Sequence, residues 1–293
     1  MENKLYLSMG ALVERRNGYD TEEVARTIPL LTDEGYIDGA EFMFIRFYYG
    51  RAEEIAKHLL AEGCRFPTFH TDKDIGAWLS DAGVALGQGE REASEELRAK
   101  ALDSFRYNCE TACAAKSERL VLHLWGGLNS DSAVGFNAAA LPEIAEIAEG
   151  YGLRVMVENV PSTVTDPLTN LRKIQDMLGR VGVVFDTRFA TCHDNAKETL
   201  SAEDVTPHIE HVHISDYRGG HKEFKCLRPV FHPGEGRADF GFIFSRLKEL
   251  GYSGSFTLES PGIVTEGPEV DRESLRRSLS FIKSGMEEKT LEK

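Results

Sequence analysis

Short apolar runs alternate with longer amphipathic stretches along the chain, eight times over. The apolar runs are Lys4–Gly10, Gly39–Ile45, Arg65–His70, Arg119–Leu124, Arg154–Asn159, Gly182–Asp186, Ile209–Ser215 and Ser255–Ser260. They are rich in β-branched and aromatic residues, as strands buried on both faces must be; Val155-Met156-Val157 and Val183-Val184-Phe185 show it most plainly. The stretches between them carry helix signals. Asp20-Thr21-Glu22-Glu23 opens the first, Asp166-Pro167 places a proline at the first helical position of another, and Ser201-Ala202-Glu203-Asp204 has capping character. Leu141–Gly150 closes on a glycine able to turn left-handed, and the charge-rich Glu90–Arg106 reads as a solvated helix face. Eight such alternations predict a parallel sheet closed into a (β/α)8 barrel, a TIM barrel, with residues 1–293 as a single domain. An open doubly wound sheet would need a phosphate-binding glycine turn after its first strand. Ser8-Met9-Gly10-Ala11 does not supply one, and Gly83, Gly87 and Gly89 read as a loop with the wrong spacing.

Composition agrees with one barrel: 293 residues, 41% of them hydrophobic, can bury a large core. No apolar run reaches the roughly 18 residues that cross a bilayer. Met1–Gly10 lacks the basic start and long apolar stretch of a signal peptide, so the expectation is a cytoplasmic protein with no membrane partner. The formal net charge of −14 repels a phosphate backbone and argues against a nucleic-acid partner. Five scattered cysteines include no CxxC pair, which removes the zinc-ribbon reading; Cys109 and Cys113 are expected to share a core-facing side of one helix.

Chemistry enters at the strand ends. Glu41, His70, His123, Glu158, Asp186, His213 and Glu259 each fall at the C-terminal side of a strand candidate, the end of a barrel where active sites are built. Taken singly, such a residue is as readily a helix cap or a core histidine. Taken together, several ionisable groups buried on adjacent strands would cost many kcal/mol unless a cation offset them, and a divalent metal ion does so.

These residues resemble the xylose isomerase-like barrel superfamily, which includes sugar-phosphate isomerases, ketose 3-epimerases and family 2 AP endonucleases. Gly35-Tyr36-Ile37-Asp38-Gly39-Ala40-Glu41-Phe42 is similar to the second-strand signature, Glu158-Asn159 to the fifth, and Phe185-Asp186-Thr187 to the sixth. His211-Val212-His213-Ile214-Ser215-Asp216 is similar to the seventh, followed by Pro233-Gly234-Glu235-Gly236 and then Leu258-Glu259 in the eighth. The resemblance implies one divalent ion, manganese, magnesium, cobalt or zinc, held by Glu158, Asp186, His213 and Glu259. It further implies that Glu158 and Glu259 act as the paired acid and base on either side of an enediolate. Candidate substrate contacts are His70, His123, Trp125, Asp216 and Arg218. His123 reads equally as a structural hydrogen-bonding residue, and Trp125 and Trp78 as packing. The chain departs from the family's Asp-x-Gly-His-Ala at the sixth strand, where Phe189 stands at the histidine position. The cation-bearing stretch Tyr217–Asp239 reads either as a lid or as a solvated loop.

The expected function is therefore a metal-dependent isomerase or epimerase of a small sugar or sugar acid, with a small-molecule carbohydrate partner and the habit of its family to form homo-oligomers. A lyase or dehydratase on an oxidised sugar is the alternative. A non-catalytic sugar-binding barrel stands further off. So does an AP endonuclease, because no Asp-x-His pair precedes Gly234-Glu235-Gly236.

Overall fold

The computed structural model describes residues 3–179, 181–263 and 267–287. Eight parallel strands close into a barrel in sequence order. They are β1 (Lys4–Ser8), β2 (Gly39–Met43), β3 (Thr68–His70), β4 (Arg119–Leu122), β5 (Arg154–Glu158), β6 (Gly182–Asp186), β7 (Ile209–Ile214) and β8 (Ser255–Leu258). Closure is visible at β1, which pairs with β2 (Ser8 opposite Glu41) and with β8 (Leu7 opposite Leu258). The helices are α1 (Thr21–Asp33), α2 (Ala52–Ala61), α3 (Asp74–Gly87), α4 (Arg91–Ala114), α5 (Val134–Gly150), α6 (Pro167–Leu178), α7 (Thr187–Cys192), α8 (Ala196–Thr199), α9 (Phe240–Glu249) and α10 (Arg272–Glu287). No helix among the described residues is long and apolar enough to cross a membrane. The chain gathers into two compact units. One holds residues up to Glu41, His58–Arg65 and those from Phe185 on; the other holds Phe42–Lys57 and Phe66–Val184.

Strand periodicity explains how polar residues reach the interior. Val121, Met156 and Val184 form a fully buried cluster. Two residues on along each strand lie His123, Glu158 and Asp186, which the period of two places on the same face, toward the C-terminal end. Helix starts follow their capping residues: Asp20 accepts from the Glu22 N–H ahead of α1, and Asp166 accepts from Thr169 N–H with Pro167 opening α6.

The structure corrects several expectations. Gly83 and Gly87 are helical, within α3, because Gly83 is where α3 comes close to the start of α5: a Cβ there would stand 2.4 Å from the Ala133 Cβ. Only Gly89, beyond the helix, takes the left-handed conformation (φ +84°) expected of that group. Two helices, not one, therefore join β3 to β4. Cys109 is buried but Cys113 is exposed, since successive side chains four apart drift around the helix and Cys113 lies at its last turn. At the end of α5 the left-handed residue is Gly152, not Gly150. Ser201-Ala202-Glu203-Asp204 caps no α-helix; the residues that follow form turns and a short 3-10 helix, Thr206–His208.

Candidate metal centre

The first polar cluster centres on β7. Alternation turns His211 and His213 to one side, and the Glu41 carboxylate at the end of β2 meets both: Oε2 lies 3.1 Å from His211 Nε2 and 3.2 Å from His213 Nε2. All three are fully buried. Burial alone would raise the Glu41 carboxyl, but the His213 charge and hydrogen bonds from both imidazoles hold it below the usual carboxylate range. With its Nε2 held by Glu41, His213 turns Nδ1 toward Glu259, 3.5 Å from Oε1. A carboxylate behind an imidazole, fixing its ring and tautomer, is the usual support of a metal-binding histidine.

The second cluster surrounds Glu158 at the end of β5. Its Oε2 lies 2.5 Å from His123 Nε2 and 3.6 Å from His70 Nε2. The two rings meet edge to face at 4.9 Å, and His70 Nδ1 sits 2.9 Å from the Thr71 carbonyl, which fixes the proton there. Burial pushes the His123 imidazole down to about 4, although Glu158 pulls it upward. Asp186 closes β6 and at once caps α7, its Oδ1 accepting from Phe189 N–H at 2.6 Å, so one oxygen is fixed and the carboxylate direction with it.

Glu158, Asp186, His213 and Glu259 each offer one ligand atom, and the four atoms lie within 4.8 Å of one another. Glu41, His211 and His213 form a second such group and His70, His123 and Glu158 a third, so His213 and Glu158 each belong to the carboxylate-rich set and to a group with imidazoles. Three carboxylates crowded in this way and buried or nearly so repel strongly without a cation, and hard oxygen donors with one neutral nitrogen suit a divalent ion. The residues fit the metal that the sequence resemblance implies.

The other expected contacts fall in different places. Trp125 is fully buried and donates from Nε1 to the Pro161 carbonyl at 3.3 Å, the position of a packed wall. Trp78 carries Lys100 Nζ over its ring at 4.3 Å. Asp216 is buried and its carboxylate accepts the N–H groups of Tyr217, Gly234, Gly236 and Ala238, which pins the Pro233-Gly234-Glu235-Gly236 turn. Arg218 is exposed, donates to the Glu235 carbonyl at 2.7 Å and lies over the Phe231 ring at 3.9 Å. Arg237 ties the same stretch to Asp194 at 2.7 Å.

Two residues of this region carry more weight than their sequence context suggested. Glu41 was visible as a strand-end carboxylate, yet nothing in the chain pairs it with His211 and His213, 170 and 172 residues away. Arg188, in the first turn of α7, is buried with its guanidinium 3.9 Å from Glu259 Oε2.

Three comparisons bear on this site. The model of the xylose isomerase-like TIM barrel family matches residues 33–284. The uncharacterised protein MJ1311 of Methanocaldococcus jannaschii is 28% identical over 208 residues, 67% of this chain and 68% of its own length. An inosose dehydratase of Serratia proteamaculans is 29% identical over 132 residues, covering 40% of this chain and 44% of that protein, less than half its length. Among solved structures, a D-tagatose 3-epimerase-like protein superposes with a TM-score of 0.68 at 22% identity, over 97% of both chains, a likeness of fold.

Proposed function

The chain belongs to the xylose isomerase-like TIM barrel family, and we propose that it is a divalent-metal-dependent isomerase or epimerase of a small sugar or sugar acid. The observation that carries this reading is the set Glu158, Asp186, His213 and Glu259, able to bring four ligand atoms within 4.8 Å. The name of the epimerase-like structural relative agrees with it. Manganese, magnesium, cobalt or zinc would suit the donors. A bound divalent ion would offset the negative charge that develops on the substrate when a proton leaves the carbon next to a carbonyl.

The chain's own residues supply the remaining steps. Glu158 and Glu259 end β5 and follow β8, and each carries a carboxylate able to hold a proton taken from or returned to carbon. His123, kept neutral by burial, and His70 flank Glu158 and fix its orientation. Glu41 holds His213 through Nε2. Water must be excluded while the carbon acid is ionised, and the buried state of Glu158, Asp186 and His213 provides that.

A second reading, a lyase that expels water from an oxidised sugar, is favoured by the similarity to inosose dehydratase and uses the same base. Elemental analysis of the purified protein, beside a Glu158→Gln, Glu259→Gln double variant, tests the common premise. One equivalent of a divalent ion, lost in the variant, is expected; none after incubation with manganese would remove both readings. Incubating ketoses with the loaded enzyme in deuterium oxide then separates them: an isomerase or epimerase takes up deuterium at carbon and otherwise keeps the substrate's atoms, whereas a dehydratase loses water.

A further inference from the structure

We propose that Arg188 is the recognition residue for a carboxylate on the substrate, which makes the substrate a sugar acid and not a neutral sugar. The inference rests on the metal-site reading above and deepens it by naming the substrate class.

Sequence and fold place the arginine with little freedom. Strand β6 passes into α7 without a loop, Asp186 ending one and capping the other, so Arg188 stands in the first helical turn, two residues from Asp186. It is 7% exposed. A guanidinium cannot shed its charge at any ordinary pH, and burying it is costly unless its donors are met.

The donors are met unevenly. Nη1 donates to the Leu227 carbonyl at 3.1 Å, and the guanidinium carbon lies 4.6 Å from the centroid of the Phe189 ring. Nη2 stands 3.9 Å from Glu259 Oε2, beyond hydrogen-bond reach. Nε is buried and has no hydrogen-bond partner among the described residues. Nε and Nη2 share one edge of the planar group, and that edge is the fork that grips a carboxylate with two parallel hydrogen bonds. Arg188 therefore has its far nitrogen anchored, one face covered by Phe189, and its two-donor edge left over on the side where Nη2 approaches Glu259.

Were Arg188 there only to neutralise Glu259, the two groups would be expected to close into a hydrogen-bonded pair; the gap of 3.9 Å shows that they do not. One guanidinium fork balances the charge of a monoanion better than that of a phosphate dianion. The planar two-oxygen carboxylate also matches the free edge. Phe189 contributes by standing where a smaller or polar side chain would leave the guanidinium face uncovered.

The test is ligand binding read by calorimetry on the manganese-loaded protein, with D-glucuronate and D-galacturonate as acids, D-glucose and D-fructose as neutral sugars, and D-glucose 6-phosphate as the phosphate probe. The wild type is expected to bind an acid about 10- to 100-fold more tightly than a neutral sugar, the range of one bidentate charged contact. Arg188→Met should abolish that preference, bringing the acids down to the affinity the same variant has for neutral sugars. Arg188→Lys, which keeps the charge but not the fork, should retain only part of it. Wild-type protein that binds neutral sugars as well as acids overturns the proposal without reference to any variant, and so does a preference for the phosphate. Manganese content measured on the same samples separates the two levels: a wild type that takes up no metal defeats the metal-site reading, while a loaded protein indifferent to the carboxylate defeats only the role of Arg188.

Discussion

At the scale of single residues the site is governed by which atom of each side chain is already committed. His213 has two nitrogens, and Glu41 takes Nε2, which leaves Nδ1 for the cluster with Glu259. Replacing Glu41 by Gln removes the negative charge and one acceptor while keeping the volume. Loss of such a supporting carboxylate typically weakens metal binding by about 10- to 100-fold. That loss is expected in a manganese titration of Glu41→Gln, with far-ultraviolet circular dichroism unchanged; wild-type affinity in the variant would reduce Glu41 to a packing role. The four residues proposed to hold the metal stand out in the sequence as candidates because each ends or follows a strand and lies in a recognisable local run. Glu41 and Arg188 carry no assigned role in the sequence reading, because what surrounds them comes from distant parts of the chain: His211 and His213 around Glu41, the Leu227 carbonyl and the nearby Glu259 around Arg188. Asp216 shows the opposite relation between motif and structure. It lies in a recognisable motif, but its carboxylate is spent on the N–H groups of its own turn.

At the scale of elements, the strands were legible to within a few residues because burial on both faces leaves a run of apolar side chains that little else produces. The β3–β4 connection was not. Its glycines suggested a loop, whereas Gly76 and Gly83 are there for close packing: a Cβ on Gly76 would meet the His123 carbonyl oxygen at 2.3 Å. The connections after β4 and β5 depend on another group that the sequence did not single out. Asp131, which precedes α5, is buried and accepts from Thr163, Val164 and Thr165 N–H and from the Asn170 side chain, so it fastens the segment after β5. Burial would raise its carboxyl, but these hydrogen bonds outweigh it and hold the group well below the usual carboxylate range. A depressed folded-state pKa means that the stabilisation is complete above the unfolded value, about 4, and is lost as pH falls toward the folded value. Asp131→Ala is expected to cost roughly 3 kcal/mol at neutral pH, through several charge-assisted hydrogen bonds. Urea denaturation at several pH values checks it: the gap between variant and wild type should narrow below about pH 4, and a gap constant with pH would mean that packing, not charge, supplies the effect.

For the whole molecule, the barrel brings acidic side chains together in a protein that already carries a formal net charge of −14. The folded state thus contains a repulsion among Glu158, Asp186 and Glu259 that the unfolded chain relieves by separating them. A cation bound only by the folded state shifts the balance by mass action, and at a hundred times its dissociation constant it contributes about 2.7 kcal/mol. For a chain of this size that corresponds to a rise in melting temperature of roughly 5 °C. Manganese should therefore stabilise the wild type and a chelator should reverse the gain. Glu259→Gln, which removes one repelling charge and one donor together, should melt higher than the metal-free wild type yet respond little to manganese. Differential scanning calorimetry on the two proteins, with and without manganese, measures all four states. Equal manganese shifts in both would place the ion elsewhere on the acidic surface, because a surface ion has no reason to sense the loss of a side chain at the end of β8.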